Sequence, residues 1–198
     1  MTTTLAATGA TIALLTLLLC AWRSGHRPPA SWVSNCGTGG TRWWFTIGMG
    51  ATALLTSPLL LELAAAGFGT RLPGAAVTCG LLLLASWHMN GPRQRHAHVA
   101  GAILFFVSLF AVSLPSLRAD CAVIRWATAA LAVPYAVFIV AALTGQVRCY
   151  GPLRAFAWPN TVDYLTSMDP QLGFVRTMEW ITVVAMLGWL LTVAVRLA

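Results

Sequence analysis

Residues 97–117 read Ala97-His98-Val99-Ala100-Gly101-Ala102-Ile103-Leu104-Phe105-Phe106-Val107-Ser108-Leu109-Phe110-Ala111-Val112-Ser113-Leu114-Pro115-Ser116-Leu117. After His98 nothing in this stretch ionises. A hydrocarbon core about 30 Å thick is crossed by roughly 20 apolar residues in a helix, so the stretch reads as a membrane span. Working outward, five more runs of the same character lie at about 5–22, 43–66, 73–90, 123–145 and 174–196. The expected architecture is therefore all-α: one transmembrane domain over residues 1–198, built as a six-transmembrane-helix bundle.

Composition supports this reading. Of the 198 residues 58% are hydrophobic and 9% charged, against roughly 25% charged in soluble domains. The mean hydropathy is +0.76. Such a chain could not keep a soluble surface wet, and disorder needs the opposite composition. The net charge of +7 is twelve basic residues, all arginine, against five acidic ones. Those arginines fall in short loops, so membrane lipids and membrane-protein partners are expected, and nucleic acid is not.

The first run reads as a retained anchor in preference to a signal peptide. No charged segment precedes it, and Cys20 is followed by Ala21-Trp22-Arg23 where a cleavage site would want small residues. Trp22, Trp43, Trp44, Trp126 and Trp180 lie near run ends, the depth indoles favour, and are given no further role. Pro58 and Pro134 fall inside spans, where each removes a backbone hydrogen bond. Ala97 with Gly101, and Gly48 with Gly50, offer small-residue patches for close helix packing.

Two loops are long. One covers 23–42; the other, 146–173, is rich in aromatics and is expected to fold over the bundle. With six spans, loops one, three and five share a face. That face carries Arg23, Arg27, Arg42, Arg93, Arg95, Arg148, Arg154 and Arg176; the other carries Arg71, Arg118, Arg125 and Arg196. Eight against four would place the odd loops in the cytoplasm.

Ionisable groups at membrane depth each need an explanation. Glu179 lies about one turn into the last run, and Arg176, three residues earlier, is placed to pair with it. His96 and His98 open the fourth run and His88 closes the third, all towards the same face. One reading makes His98 and Glu179 a headgroup-binding or acid–base pair; the other makes them a hydrogen bond locking two helices. Zinc needs three or four ligands in one tight shell; His88, His96, His98 and Glu179 are on offer, but His96 and His98 point to different helix faces, so no metal or cofactor is expected. Glu62 is expected at the opposite boundary, near Arg71 or Arg125. No Walker loop, nucleophile elbow or H-E-x-x-H is present, and an enzyme is the lesser expectation.

Three stretches carry a family resemblance. The first loop reads Trp32-Val33-Ser34-Asn35-Cys36-Gly37, followed by Arg42-Trp43-Trp44-Phe45. The fourth run opens His98-Val99-Ala100-Gly101-Ala102-Ile103-Leu104-Phe105-Phe106, and the last opens Arg176-Thr177-Met178-Glu179-Trp180. In this order they resemble the signatures of the DRAM family of autophagy modulators, whose relatives remodel GPI anchors or anchor a phosphatidylinositol 4-kinase. Asn35 stands where that family has an acidic residue, and the family's Pro-Glu before the second span is missing. The resemblance implies a regulator of autophagy, lysosomes or membrane lipids that binds lipid or protein partners, with a lipid-remodelling activity at His98 and Glu179 as the alternative; a small channel or carrier is a second alternative, disfavoured because the polar residues cluster at the boundaries and leave the midplane apolar. It also implies an endomembrane, lysosomal or plasma-membrane location with cytoplasmic termini, and on orientation it is preferred here to the arginine count. The long loops would then be lumenal or extracellular, where thiols oxidise, which makes Cys36 and Cys149 a candidate disulfide.

Overall fold

The computed structural model describes residues 1–25, 30–86 and 92–198, and among them every regular element is a helix. Seven α-helices follow in order: α1 (Thr2–Ser24), α2 (Arg42–Phe68), α3 (Leu72–Ser86), α4 (Pro92–Ser113), α5 (Ala122–Tyr150), α6 (Trp158–Thr166) and α7 (Gly173–Arg196). Short 3-10 turns at Val33–Gly37, Gly39–Thr41, Leu114–Arg118 and Pro170–Leu172 complete the chain.

Five segments containing α1, α2, α4, α5 and α7 are long and apolar enough to cross a membrane. The expected third span, 73–90, differs. Its described helix, α3, has 15 residues, about 22 Å at 1.5 Å per residue, and positions 87–90 lie outside the described residues. The outer surface is as apolar as a bilayer requires, with Leu15, Leu54, Val133 and Val184 all exposed. Trp22, Trp43, Trp44 and Trp126 are also exposed, as interfacial indoles should be.

The helices form an open ring. α3 packs along α2 and α4, α1 joins α2 to α7, and α7 packs along α5. α4 and α5 meet at only a few places. At one end the turn Leu114–Arg118 ties them together; at the other α6 bridges the gap.

Small residues set the closest approaches. A Cβ on Gly80 would come 2.6 Å from Phe105 N, and one on Gly101 would come 2.7 Å from Leu83 Cβ. α3 and α4 therefore touch backbone to backbone, the packing expected where lipid offers no hydrophobic drive between helices. Gly48 lies against Thr16, whereas Gly50 faces open space and packs nothing. Polar side chains add links: the Thr52 hydroxyl is shared between Gly48 O of its own helix (2.8 Å) and Gly9 O of α1 (3.1 Å), and Trp189 Nε1 donates to Thr128 Oγ1 at 3.0 Å.

The long loops are more structured than the hydropathy reading allows. Residues 33–41 form two 3-10 turns wedged against α1, α2 and α7. The apolar pattern of the fifth run ends at 145, but the helix continues to Tyr150. Residues 158–166 then form α6, which buries Val162 and Tyr164 and exposes its other side.

Candidate functional site

The end of the bundle beneath the first loop gathers the buried ionisable groups His98, Arg176 and Glu179, with Ser31, Asn35, Thr41 and Gln146. The turn Val33–Gly37 begins with N–H groups that have no intrahelical acceptor. Val33 N–H donates to Glu179 Oε2 at 2.8 Å, so a side chain from α7 caps this turn from a distant part of the chain. Two indoles reinforce the junction: Trp180 Nε1 donates to Ser31 O at 2.9 Å, and Trp32 Nε1 donates to Ser167 O at 2.7 Å. Asn35 Nδ2 donates to Met168 Sδ at 3.0 Å. Trp180 is therefore a structural strut as well as a boundary residue.

Arg176 is 2% exposed and donates to Ser167 O at 3.3 Å. It thus holds the connection before α7. His98 is buried at 3% exposure and lines the same cavity as Glu179. His96 is half-buried and leans on α6, its ring 6.0 Å from that of Trp158. His88 lies outside the described residues.

That cavity occupies the gap between α4 and α5 and has a volume of about 250 Å³. His98, Glu179, Gln146 and Thr161 supply its polar groups, while Phe106 and Phe138 form apolar walls. Ile103, Val107 and Leu143 line it and are also exposed on the outer surface, so it opens sideways between the two helices. α6 closes the end: Gln146 Nε2 donates to Ala155 O at 2.6 Å and to Thr161 Oγ1 at 2.7 Å. A smaller apolar cavity of about 50 Å³ lies at the bundle centre, and Glu179 borders it too.

The three stretches behind the family resemblance meet here, since Trp32, His98, Phe106 and Glu179 all line the cleft. The sequence reading did not anticipate Gln146, Trp32 as a wall of the cleft, or the backbone partner of Glu179. In the sequence Trp32 is only the first residue of the first-loop stretch that carries the resemblance, and nothing there points to a cleft wall.

The expected Cys36–Cys149 disulfide is not formed, and both thiols are free. Cys36 is completely buried and packs in the main core. Burial above all, with the Cys20 thiol and Glu179 nearby, pushes its thiol up to about 12. Cys149 is exposed in the last turn of α5, a helical position the hydropathy pattern assigned to a loop. Glu62 is exposed on α2, and Arg125 instead donates to the carbonyls of Ala119 (2.7 Å) and Asp120 (3.1 Å). Among the described residues no three His, Cys, Asp or Glu side chains gather to hold a metal ion.

Comparison with known protein families, with curated proteins and with solved structures finds no match to this chain.

Proposed function

We infer that this is a lipid-binding integral membrane protein that takes part of a membrane lipid into the cleft between α4 and α5. The observation carrying this reading is the shape and polarity of that cleft: apolar walls, a sideways opening at bilayer-facing residues, and a polar group of His98, Gln146, Thr161 and Glu179 at its end. A hydrocarbon chain entering from the bilayer leaves one apolar medium for another, so dispersion contacts and the polar end supply the selectivity. At about 250 Å³ the space falls just below the usual ligand-pocket range of about 300–1,000 Å³. It suits a segment of an acyl chain with a hydroxyl or carbonyl at its end, not a whole phospholipid.

Catalysis is the weaker reading of the same residues. A lipid-remodelling reaction would use His98 and Glu179 as acid and base, but Glu179 Oε2 already accepts the Val33 N–H. A DRAM-type role in autophagy or membrane-lipid regulation, protein partners and a lysosomal, other endomembrane or plasma-membrane location are proposals resting on the resemblance alone.

The test is to fill the cleft. Ala102→Phe places a ring in its wall, and lipid co-purifying with the detergent-extracted protein is then identified by native mass spectrometry. The expected result is a bound lipid on the wild type that is lost from a still-helical variant. Equal retention by both would overturn the reading.

A further inference from the structure

A second groove runs along the outside of the bundle between α5 and α7, roofed by α6 and the turn Pro170–Leu172, with a volume of about 660 Å³. Its walls are mostly apolar and include Val137, Val140 and Phe174, all exposed on the bilayer-facing surface. Near the helix end the character changes, with Arg148, Cys149, Gln171 and Tyr164 along the groove.

Two of these groups have no partner among the described residues. Arg148 is exposed in the last turn of α5 and makes no hydrogen bond or ion pair there. Tyr164 is 2% exposed, and its buried hydroxyl has no hydrogen-bond partner. A buried hydroxyl left unpaired costs stability and calls for an explanation. Its position is built in: the hydroxyl lies against Gly145, where any side chain would collide with it. Arg148 and Cys149 follow Gly145 by three and four residues, and therefore share its helix face.

We propose that this groove is a binding site for an anionic phospholipid, with the lipid phosphate held by Arg148 and the Tyr164 hydroxyl and one acyl chain lying along Val137, Val140 and Phe174. One phosphate would satisfy both unpartnered groups through a strong charge-assisted guanidinium contact, and the Arg148 charge favours a lipid of net negative charge over a zwitterion whose own ammonium offsets its phosphate. The phenol is suited to donate: burial first, with the neighbouring Cys149 thiol, pushes it up to about 12, so it keeps its proton at physiological pH. The hydroxyl is covered by the groove rim, so the headgroup reaches it by displacing that rim, where Arg148 has no partner among the described residues. The position suits a lipid in place, with the cation at the helix end and the apolar walls running into the span. This site is separate from the α4–α5 cleft and does not depend on it.

The experiment uses the full chain in nanodiscs of phosphatidylcholine, with and without phosphatidylglycerol, for the wild type, Arg148→Gln, Tyr164→Phe and the double variant. Phosphatidylglycerol retained on release from the disc is measured by native mass spectrometry. Tyr164→Phe keeps the ring and removes only an unsatisfied hydroxyl, so its folding in phosphatidylcholine stays intact. Each single variant should retain about tenfold less phosphatidylglycerol, as expected for loss of a hydrogen bond to a charged group. Equal retention of the two lipids by the wild type, or undiminished phosphatidylglycerol on the double variant, would overturn the proposal. Displacement by inorganic phosphate alone would also overturn it, because it would mark a free-anion site that needs no acyl chain.

Discussion

Val33 N–H donates to Glu179 Oε2 at 2.8 Å, joining the first loop to the start of the last span. Both groups are buried, at 7% exposure each. A carboxyl group at membrane depth invites a catalytic or transport explanation, yet here it serves a backbone amide that nothing in its own turn can serve. The loop it holds carries Trp32, a wall of the α4–α5 cleft. The carboxyl therefore shapes the cleft as well as bordering it.

Replacing Glu179 by leucine should leave the Val33 N–H buried and unpaired, costing about 1–3 kcal/mol. Glu179→Gln keeps an oxygen acceptor and should cost less than half as much. Thermal unfolding in detergent and proteolysis within residues 30–41 both report the difference. Identical unfolding of the leucine variant and the wild type would show that the two indole hydrogen bonds hold the loop without the carboxyl.

The spans were legible because apolar runs of membrane length have few competing explanations, and α1, α2, α4, α5 and α7 fall close to where hydropathy puts them. α6 was hidden because it has nine residues, too short to show periodicity, and its segment is punctuated by Pro152 and Pro159. The helix through Arg148 to Tyr150 was missed because a charge ends an apolar run without ending a helix; Gly151 at positive φ does that. At the site, His98 and Glu179 stood out as ionisable residues in or beside apolar runs. The partner of Glu179 did not, since every residue except proline offers a backbone N–H and only the folded chain selects one.

Orientation has two opposed sequence arguments, and the resemblance gives the prediction: a tag after Ala198 is cytoplasmic and a tag inserted at Gly39 is lumenal or extracellular. Gly39 suits insertion because it and Gly40 are exposed. Antibody access after selective permeabilisation reads both tags. A cytoplasmic Gly39 would mean that the arginines follow the positive-inside rule and that the resemblance misleads on topology.

The free cysteines should differ in reactivity. The Cys121 thiol, just before α5, is lowered from the ordinary thiol value, chiefly by the backbone N–H of Ile124 and to a lesser degree by that of Val123 at the start of the helix. Its thiolate forms at lower pH than that of a free cysteine, so its alkylation should level off earlier as pH rises. Cys36 is raised to about 12, so at pH 8 only about one molecule in ten thousand carries its thiolate, and thiolate is the nucleophile. Maleimide labelling of unreduced protein with peptide mass mapping should therefore find Cys121 and Cys149 modified and Cys36 intact until the fold is opened. Failure of Cys149 to label before reduction would restore the disulfide.

Two glycines in neighbouring helices should respond oppositely to the same change. At Gly80 a methyl group would come 2.6 Å from Phe105 N and 2.8 Å from its Cα, backbone atoms that cannot rotate away. Gly80→Ala must push α3 off α4, and overpacking of this kind costs about 1–3 kcal/mol. At Gly50 a methyl group meets nothing within 4 Å, so Gly50→Ala should be neutral or gain up to about 1 kcal/mol from helix propensity. Both positions are helical and within apolar runs, so hydropathy does not distinguish them, whereas the packing of α3 against α4 does. Unfolding midpoints of the two variants in one detergent provide the comparison, and a Gly80→Ala protein as stable as Gly50→Ala would mean that α3 and α4 do not pack backbone to backbone.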